Sequence, residues 1–373
     1  MARPLYQSAL EQPRTRGPDG HAGLWFDKFC DRWRIEDRSW LMSADDSGHN
    51  PKLDWLQSVA GGGHVGARAQ IDEAALRLVR FIHKRGGRLA VFKTESRFVT
   101  GLGRSHPVEN GFGWHPTLGT PYLPGSSIKG LVRSWAREQA EPRPDPKVAV
   151  RLLGGPARAG NVSFLDAVPT APVQLDADVM TPHYAGWSEK EPPGDWCSPN
   201  PIPFLVTAVG TPFLFGVVPR HDLDGDDLDI VMRWLGDALT WAGAGAKTAV
   251  GYGRFRLDTH ALDALWHEVE KRAEAKRAAR EEMERLDSLT PLERELEELG
   301  RNQGETTARH VRWIKALQEG RWDDDPDTRR AVALKIKQEM ERVGKWKPTS
   351  AKKRPERDRD HQRTLIVMKF IEG

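Results

Sequence analysis

Between Pro201 and Pro219 the chain runs for nineteen residues without a charge, and four of those residues are proline: Pro201, Pro203, Pro212 and Pro219. A helix crossing lipid must satisfy its own backbone, which four prolines forbid, so the stretch is not a membrane span. Two strands joined near Gly210, Thr211 and Pro212 tolerate prolines at their edges and turn. The stretch therefore predicts buried β-structure, a strand with a hairpin return over 202–218.

Other elements follow from periodicity. Residues 67–85 predict a helix, with Ile71, Ala74, Ala75, Leu78, Val79 and Ile82 on one face and Gly86 and Gly87 as its stop. Arg88 to Thr100 reads as a strand, Ser126 to Gln139 as a helix ended before Pro142, and Val162 to Val168 as a second strand. Leu228 to Trp241 predicts another helix and Tyr252 to Leu257 a last strand. From Arg88 the order is strand, helix, strand, strand, helix, strand, the plan of the ferredoxin-like fold and of the RNA recognition motif. The predicted class is α+β: a ferredoxin-like core over about 85–258, preceded by a helical N-terminal part whose first 23 residues read as an irregular arm. The Pro-rich section 169–200 is a long excursion, and loops of that length inside a compact domain are usually functional or disordered.

Charge density divides the chain. The first 260 residues hold 30 basic and 29 acidic side chains, and the last 113 hold 26 and 24. That is a rise from about 23 to about 44 per cent, which marks a boundary near 258–262 between a mixed α/β body and a charged helical tail. The tail reads as a helical linker over 261–300 and a small helical domain over 301–373. Val311, Trp313, Ile314, Leu317, Val332, Leu334, Ile336, Met340, Leu365, Ile366 and Phe370 fill its core. From Lys345 onward nine basic residues face four acidic ones. A net charge of +3 over the 373 residues excludes wholesale attraction to nucleic acid or acidic lipid, so any basic site is local. Two cysteines, Cys30 and Cys197, make neither a disulfide framework nor a four-cysteine zinc site. The start Met-Ala-Arg-Pro-Leu-Tyr-Gln lacks the apolar core of a signal peptide, which predicts a cytoplasmic protein.

Two motifs carry chemistry. In Gly119-Thr120-Pro121-Tyr122-Leu123-Pro124-Gly125-Ser126-Ser127-Ile128-Lys129-Gly130-Leu131-Val132-Arg133, a fixed turn leads into a helix that Ser126 or Ser127 can cap, leaving first-turn amides for a phosphate. Ile128, Leu131, Val132 and Trp135 form its buried stripe. Lys129, Arg133 and Arg137 recur every four residues on another face. A capped amphipathic helix with solvated cations has the same pattern. In Gly243-Ala244-Gly245-Ala246-Lys247-Thr248-Ala249-Val250-Gly251-Tyr252-Gly253, glycines let the backbone approach a ligand, Lys247 and Thr248 add a cation and a hydroxyl, and Tyr252 adds a stacking face. Neither a Walker loop nor the dinucleotide fingerprint fits, because Ala246 and Thr248 stand where glycine is required. A plain Gly-rich turn between helix and strand fits as well. Both motifs fall at the ends of ferredoxin-like elements, which favours an RNA-facing reading.

These motifs resemble, together with His106-Pro107-Val108-Glu109-Asn110-Gly111-Phe112, Met180-Thr181-Pro182-His183-Tyr184 and Asp195-Trp196-Cys197-Ser198-Pro199, the RAMP superfamily of CRISPR proteins, in particular subunits of type III-B Cmr complexes. The resemblance covers roughly residues 85–258. It implies a non-enzymatic scaffold that caps the 3′ end of crRNA, contacts target RNA and other RAMP subunits, and leaves cleavage of target RNA to an acidic residue on another subunit. The expected RNA-binding residues are Ser126, Ser127, Lys129, Arg133, Arg137, Gly243, Gly245, Lys247, Thr248, Gly251, Tyr252 and Gly253. Met180, His183, Tyr184 and Trp187, in a thumb-like insertion over 169–200, are expected to reach between bases or to anchor a protein neighbour. No membrane, cofactor or small-molecule substrate is expected.

Two other readings stay open. Some RAMP relatives are metal-independent endoribonucleases, and His106, His115 and His183 lie in loops near the motif helix, where a histidine can act as a general base. A protein-only adaptor is the third. Asp176, Asp178 and His183 lack the fixed scaffold of a metal site. Trp25, Trp33, Trp40 and Trp55 read as core or subunit interface, and Lys352, Lys353, Arg354, Arg357 and Arg359 as a solvated or RNA-touching end.

Overall fold

A computed structural model describes residues 15–18, 20–42, 49–141, 143–182, 200–221, 223, 225–301, 308–350 and 354–372. In chain order the elements are α1 (Ala22–Lys28), β1 (Arg34–Glu36), β2 (Ser39–Leu41), α2 (Pro51–Ala60), α3 (Arg68–Lys84), β3 (Arg88–Thr94), β4 (Ser105–His106), β5 (Glu109–Asn110), α4 (Gly125–Glu138) and α5 (Pro146–Leu153). There follow β6 (Val162–Phe164), β7 (Val168–Pro169), β8 (Leu175–Met180), β9 (Ile202–Thr207), β10 (Pro212–Pro219), α6 (Asp227–Asp237) and β11 (Phe255–Leu257). The helices α7 (Thr259–Asp287), α8 (Pro291–Gly300), α9 (Arg309–Gln318), α10 (Pro326–Arg342) and α11 (Arg359–Glu372) complete the chain. The protein is thus mixed helix and sheet, and it divides into two compact units between Arg272 and Ala273.

In the first unit a sheet runs in the order β11-β3-β10-β6, every neighbour antiparallel, with β7 also on β10. Alternation along β3 and β10 sends Ala90, Phe92, Phe213, Phe215 and Val217 to one face, where they pack with Ile128 and Val132 of α4 and Val231 and Leu235 of α6. Val91 and Leu214 point to the other face, against Ala75, Leu76 and Val79 of α3 and Val269 of α7. Both faces are covered, which is why this part of the chain reads as an uninterrupted apolar run.

The structure corrects several expectations. β9 does not return along β10. It pairs with β8, from Leu175 opposite Thr207 to Met180 opposite Ile202, so the start of the 169–200 excursion is a strand. The strand expected over 162–168 is split into β6 and β7, with Leu165 N–H reaching Gly216 O between them. The last strand begins only at Phe255, because Gly253 N–H is bonded to Arg97 O. α6 stops at Asp237 and passes into a π-turn over 238–242, closed by Gly243 N–H on Ala238 O. At the N-terminus, α1 and α2 build a third core in which Phe26, Trp55 and Leu56 pack with Trp114, Leu175 and Leu205. Trp25 and Trp33 flank that core.

In the second unit Leu296, Trp313, Ile314, Leu317, Val332, Ile336, Met340 and Val367 form one cluster. α8 falls in the stretch read as a helical linker, yet its Leu296 belongs to this core. It is fixed by a capping box in which Thr290 and Glu293 each bond the other's backbone N–H. Leu334 and Leu365, expected in this core, are instead exposed.

Candidate nucleic-acid interface

α4 begins where Leu123 bonds Ala167 in both directions, at 2.9 and 3.0 Å. Its cap is Pro124, which has no side-chain acceptor, and neither Ser126 nor Ser127 caps it. Instead Gly125 N–H donates to Asp166 Oδ1 at 2.7 Å, and Ser127 N–H returns to Pro124 O at 2.9 Å. A carboxylate therefore already neutralises this helix end, the local charge a helix N-terminus favours. Both serine side chains remain exposed.

The cations of α4 split into two groups. Lys129 is depressed below the usual lysine range by burial first, then by Arg133 and Arg220. Arg220, which ends the uncharged stretch, was not anticipated as part of this cluster. Arg133 also donates to Leu153 O at 2.8 Å and lines, with Arg137, a groove that Lys129 does not line. Four residues advance a helix by about 40° beyond a full turn, so a spacing of eight rotates Arg137 roughly 80° from Lys129.

The glycine-rich loop is bonded to the strand segment beside it. Ala246 N–H reaches Val99 O at 2.8 Å, Gly253 N–H reaches Arg97 O at 2.8 Å, and Ala244 N–H reaches Gly253 O at 2.8 Å. A Cβ on Gly245 would lie 2.1 Å from Val99 O, and one on Gly253 1.9 Å from Ala244 O, both at positive φ. Gly251, also at positive φ, has nothing within 4 Å. Between these fixed points Lys247 takes a left-handed φ of 59°, followed by a tight turn over Thr248–Val250. Its Nζ stands 5.5 Å over the Phe204 ring, and the tip leaves Val250 and the nearby Trp241 exposed. Trp241 was read as the end of a helix; it is an exposed aromatic in the π-turn that leads into the loop.

Tyr252 is already engaged. Its hydroxyl donates to Asp178 Oδ2 at 2.6 Å, Arg97 donates to the same oxygen at 2.8 Å, and its ring leans on Phe204. Burial works to raise the Asp178 carboxyl, but hydrogen bonds from Tyr252, Val179 N–H and Arg97 outweigh it and hold the group below the usual carboxylate range. Burial first, then Asp178, push Tyr252 up to about 12. Asp178 thereby ties β8 to the glycine-rich loop. Sequence had paired it with Asp176 as a weak metal candidate; its real partners come from 81 and 74 residues away.

Two of the loop histidines, His106 and His115, are tied into turns. His106 stacks on Phe26 with ring centroids 4.0 Å apart, places Nε2 3.1 Å from Phe26 O and receives Val108 N–H on Nδ1 at 3.2 Å. A carbonyl only accepts and an amide only donates, so these partners select the neutral Nε2–H tautomer. Burial is the main cause lowering its pKa to about 4, against an ordinary 6.5, while Asp27 lies 3.8 Å from Nε2. The unfolded chain binds the extra proton between these values, so stability is full above pH 6.5 and is lost as pH falls toward 4. From pH 7.5 to 5, urea unfolding should lose about 2 kcal/mol to this group. The loss should shrink in His106→Phe, and an unchanged pH dependence in that variant would contradict the assignment. His115 receives Thr117 and Leu118 N–H on Nδ1, and burial lowers its pKa.

Met180 ends β8 and packs beside Val99, Phe204 and Val206. His183, Tyr184 and Trp187, with Cys197, Lys352 and Lys353, lie outside the described residues. Among the described residues no group of three or more metal-ligating side chains occurs, and no helix is long and apolar enough to cross a membrane.

Residues 91–256, which hold most of the sheet and both motifs, match the RAMP superfamily model. The chain is similar to the CRISPR system Cmr subunit Cmr6 of Pyrococcus furiosus, with 30% identity over 228 residues, 44% of this chain and 66% of that protein. It is likewise similar to Cmr6 of Saccharolobus solfataricus, with 32% identity over 155 residues, 40% of this chain and 49% of the relative. The chain thus spans about half to just under two thirds of these relatives. Among solved structures, a type III-B Cmr-beta complex bound to cognate target RNA contains a chain 25% identical, covering 56% of this chain and 71% of that one with a TM-score of 0.45. The crystal structure of Cmr6 from Pyrococcus furiosus is 26% identical over 46% of this chain and 97% of its own, with a TM-score of 0.32.

Proposed function

We propose that this protein is a non-catalytic, RNA-holding scaffold subunit of a type III-B CRISPR ribonucleoprotein, seated at the 3′ end of crRNA in the cytoplasm. There it supports target RNA cleavage by the complex and contacts crRNA, target RNA and neighbouring RAMP subunits. The observation that carries this reading is the glycine-rich loop, fixed at both ends by backbone bonds and presenting Lys247 at an exposed turn. The four strands β3, β6, β10 and β11, with α4 and α6 on one face, are read as its ferredoxin-like core. Lys129, Arg133, Arg220 and Lys247 supply phosphate contacts, Ser126, Ser127 and Thr248 hydroxyls, and Trp241 a stacking face. Tyr252 positions the loop through Asp178. The insertion over 169–200 is read as the thumb.

Repeat-containing RNA incubated with excess protein tests the reading. The RNA is expected to stay intact with magnesium and with chelator, and to be retained by the assembled complex. Discrete cuts that vanish in His115→Ala would replace it by the endoribonuclease, and an assembled complex retaining no RNA through this subunit would replace it by the protein-only adaptor.

A further inference from the structure

A groove of about 570 Å³ lies between the second half of α4 and α5, closed by the turn Gly154-Gly155-Pro156. Of the residues read as holding RNA, Lys129 and Lys247 do not line it, while Arg133 stands at its edge. Its rim carries Arg133, Arg137 and Arg143, and among the described residues no acidic side chain lines it. Among the described residues Arg137 and Arg143 have no ion-pair partner, while Arg133 is held in place by Leu153 O. The floor is aliphatic, with Ala149, Leu153 and the exposed Val150 of α5.

The groove is preformed. Leu152 and Leu153 anchor α5 in the main core, and Arg151 grips the buried Asp227 of α6 through both guanidinium nitrogens, one of them at 2.7 Å. Docking there would order little that is not already ordered.

Two features choose the occupant. Guanidinium groups pair with carboxylates in a two-pronged geometry, and three of them around one groove call for an anionic partner. Among the described residues no aromatic side chain lines the groove, so a nucleobase would find no stacking face there, whereas Val150, Leu153 and the prolines Pro144, Pro146 and Pro156 match aliphatic side chains. We infer that this groove seats an acidic, aliphatic peptide segment of another protein chain, with leucine- or valine-like side chains on the α5 floor and carboxylates on Arg137 and Arg143. The carboxylates are assigned to Arg137 and Arg143 and not to Arg133, which Leu153 O already engages, so the inference stands apart from the phosphate contact proposed for Arg133.

Fluorescence anisotropy with the full chain tests it, using a labelled heptapeptide that alternates aspartate with leucine and its lysine-leucine counterpart. The acidic probe should bind at least about tenfold more tightly than the basic one, the discrimination two desolvated charge pairs supply. The double variant Arg137→Glu/Arg143→Glu should weaken the acidic probe by a similar factor with an unchanged melting temperature, and Val150→Asp should also weaken it. Absence of acidic-probe binding, equal binding of the two probes or indifference to the arginine reversal would overturn the inference. So would displacement of the probe by a uridine oligonucleotide, which would assign the groove to RNA.

Discussion

Gly253→Ala is expected to destabilise the first unit by about 4 kcal/mol or more, at the diagnostic end of single-residue effects. The added Cβ would lie 1.9 Å from Ala244 O, a backbone atom that cannot swing aside like a side chain. The segment cannot retreat either, since Gly253 N–H and C=O are both bonded, to Arg97 and to Ala244. Gly251→Ala makes the comparison sharp. Its φ is also positive, at 95°, but nothing lies within 4 Å, so the cost should be only the left-handed backbone term of about 1–2 kcal/mol. Urea unfolding of both variants checks this, and equal losses would mean that the loop is not held as described. Gly251→Ala should fold yet bind RNA less well if the backbone there approaches a ligand.

The second large effect is on RNA. Lys129→Ala combined with Lys247→Ala should weaken retention of single-stranded guide RNA by about ten- to a hundredfold near 0.1 M salt, and should flatten the dependence of log K on log salt by about 1.4. Asp178→Asn separates this from simple electrostatics. If Asp178 were only a negative charge near RNA, removing it would tighten binding. As the carboxylate that receives both Tyr252 and Arg97, its neutralisation should loosen the loop and weaken binding by about threefold or more, the cost of impairing hydrogen bonds to a charged group. Tighter binding in Asp178→Asn would remove its positioning role while leaving the lysine contacts standing.

These contrasts also show what was legible in the residues. α3 was readable because Ile71, Ala75, Val79 and Ile82 repeat at helical spacing and Gly86-Gly87 ends the pattern. β10 was readable because an uncharged, proline-punctuated run has few other solutions. β8 was not readable: Asp176 and Asp178 interrupt the apolar signal, and Asp178 is satisfied by residues distant in sequence. The partner of β9 was misassigned because proximity in the chain favours a hairpin, whereas Phe204 and Val206 face the glycine-rich loop and Leu205 the N-terminal core. Ser126 and Ser127 fit a local capping rule, and a tertiary contact from Asp166 took the amide instead. The two motifs were visible as segments. Fixing the glycine-rich loop required the backbone carbonyls of Arg97 and Val99, which leave no trace in side-chain pattern, and the Arg97 guanidinium on Asp178, a partner distant in sequence. Trp241 was visible only as a helix residue, because the π-turn that exposes it has no signature in spacing.

The central claim is that the segments 126–133 and 243–253 hold the guide strand. Photo-crosslinking in the assembled complex, with 4-thiouridine placed at the last guide nucleotides and peptides of this subunit read by mass spectrometry, tests it most directly. Crosslinks from the 3′-terminal positions falling within those two segments are the expected result. Crosslinks confined to the C-terminal unit, or absent from this subunit while present on its neighbours, would contradict it.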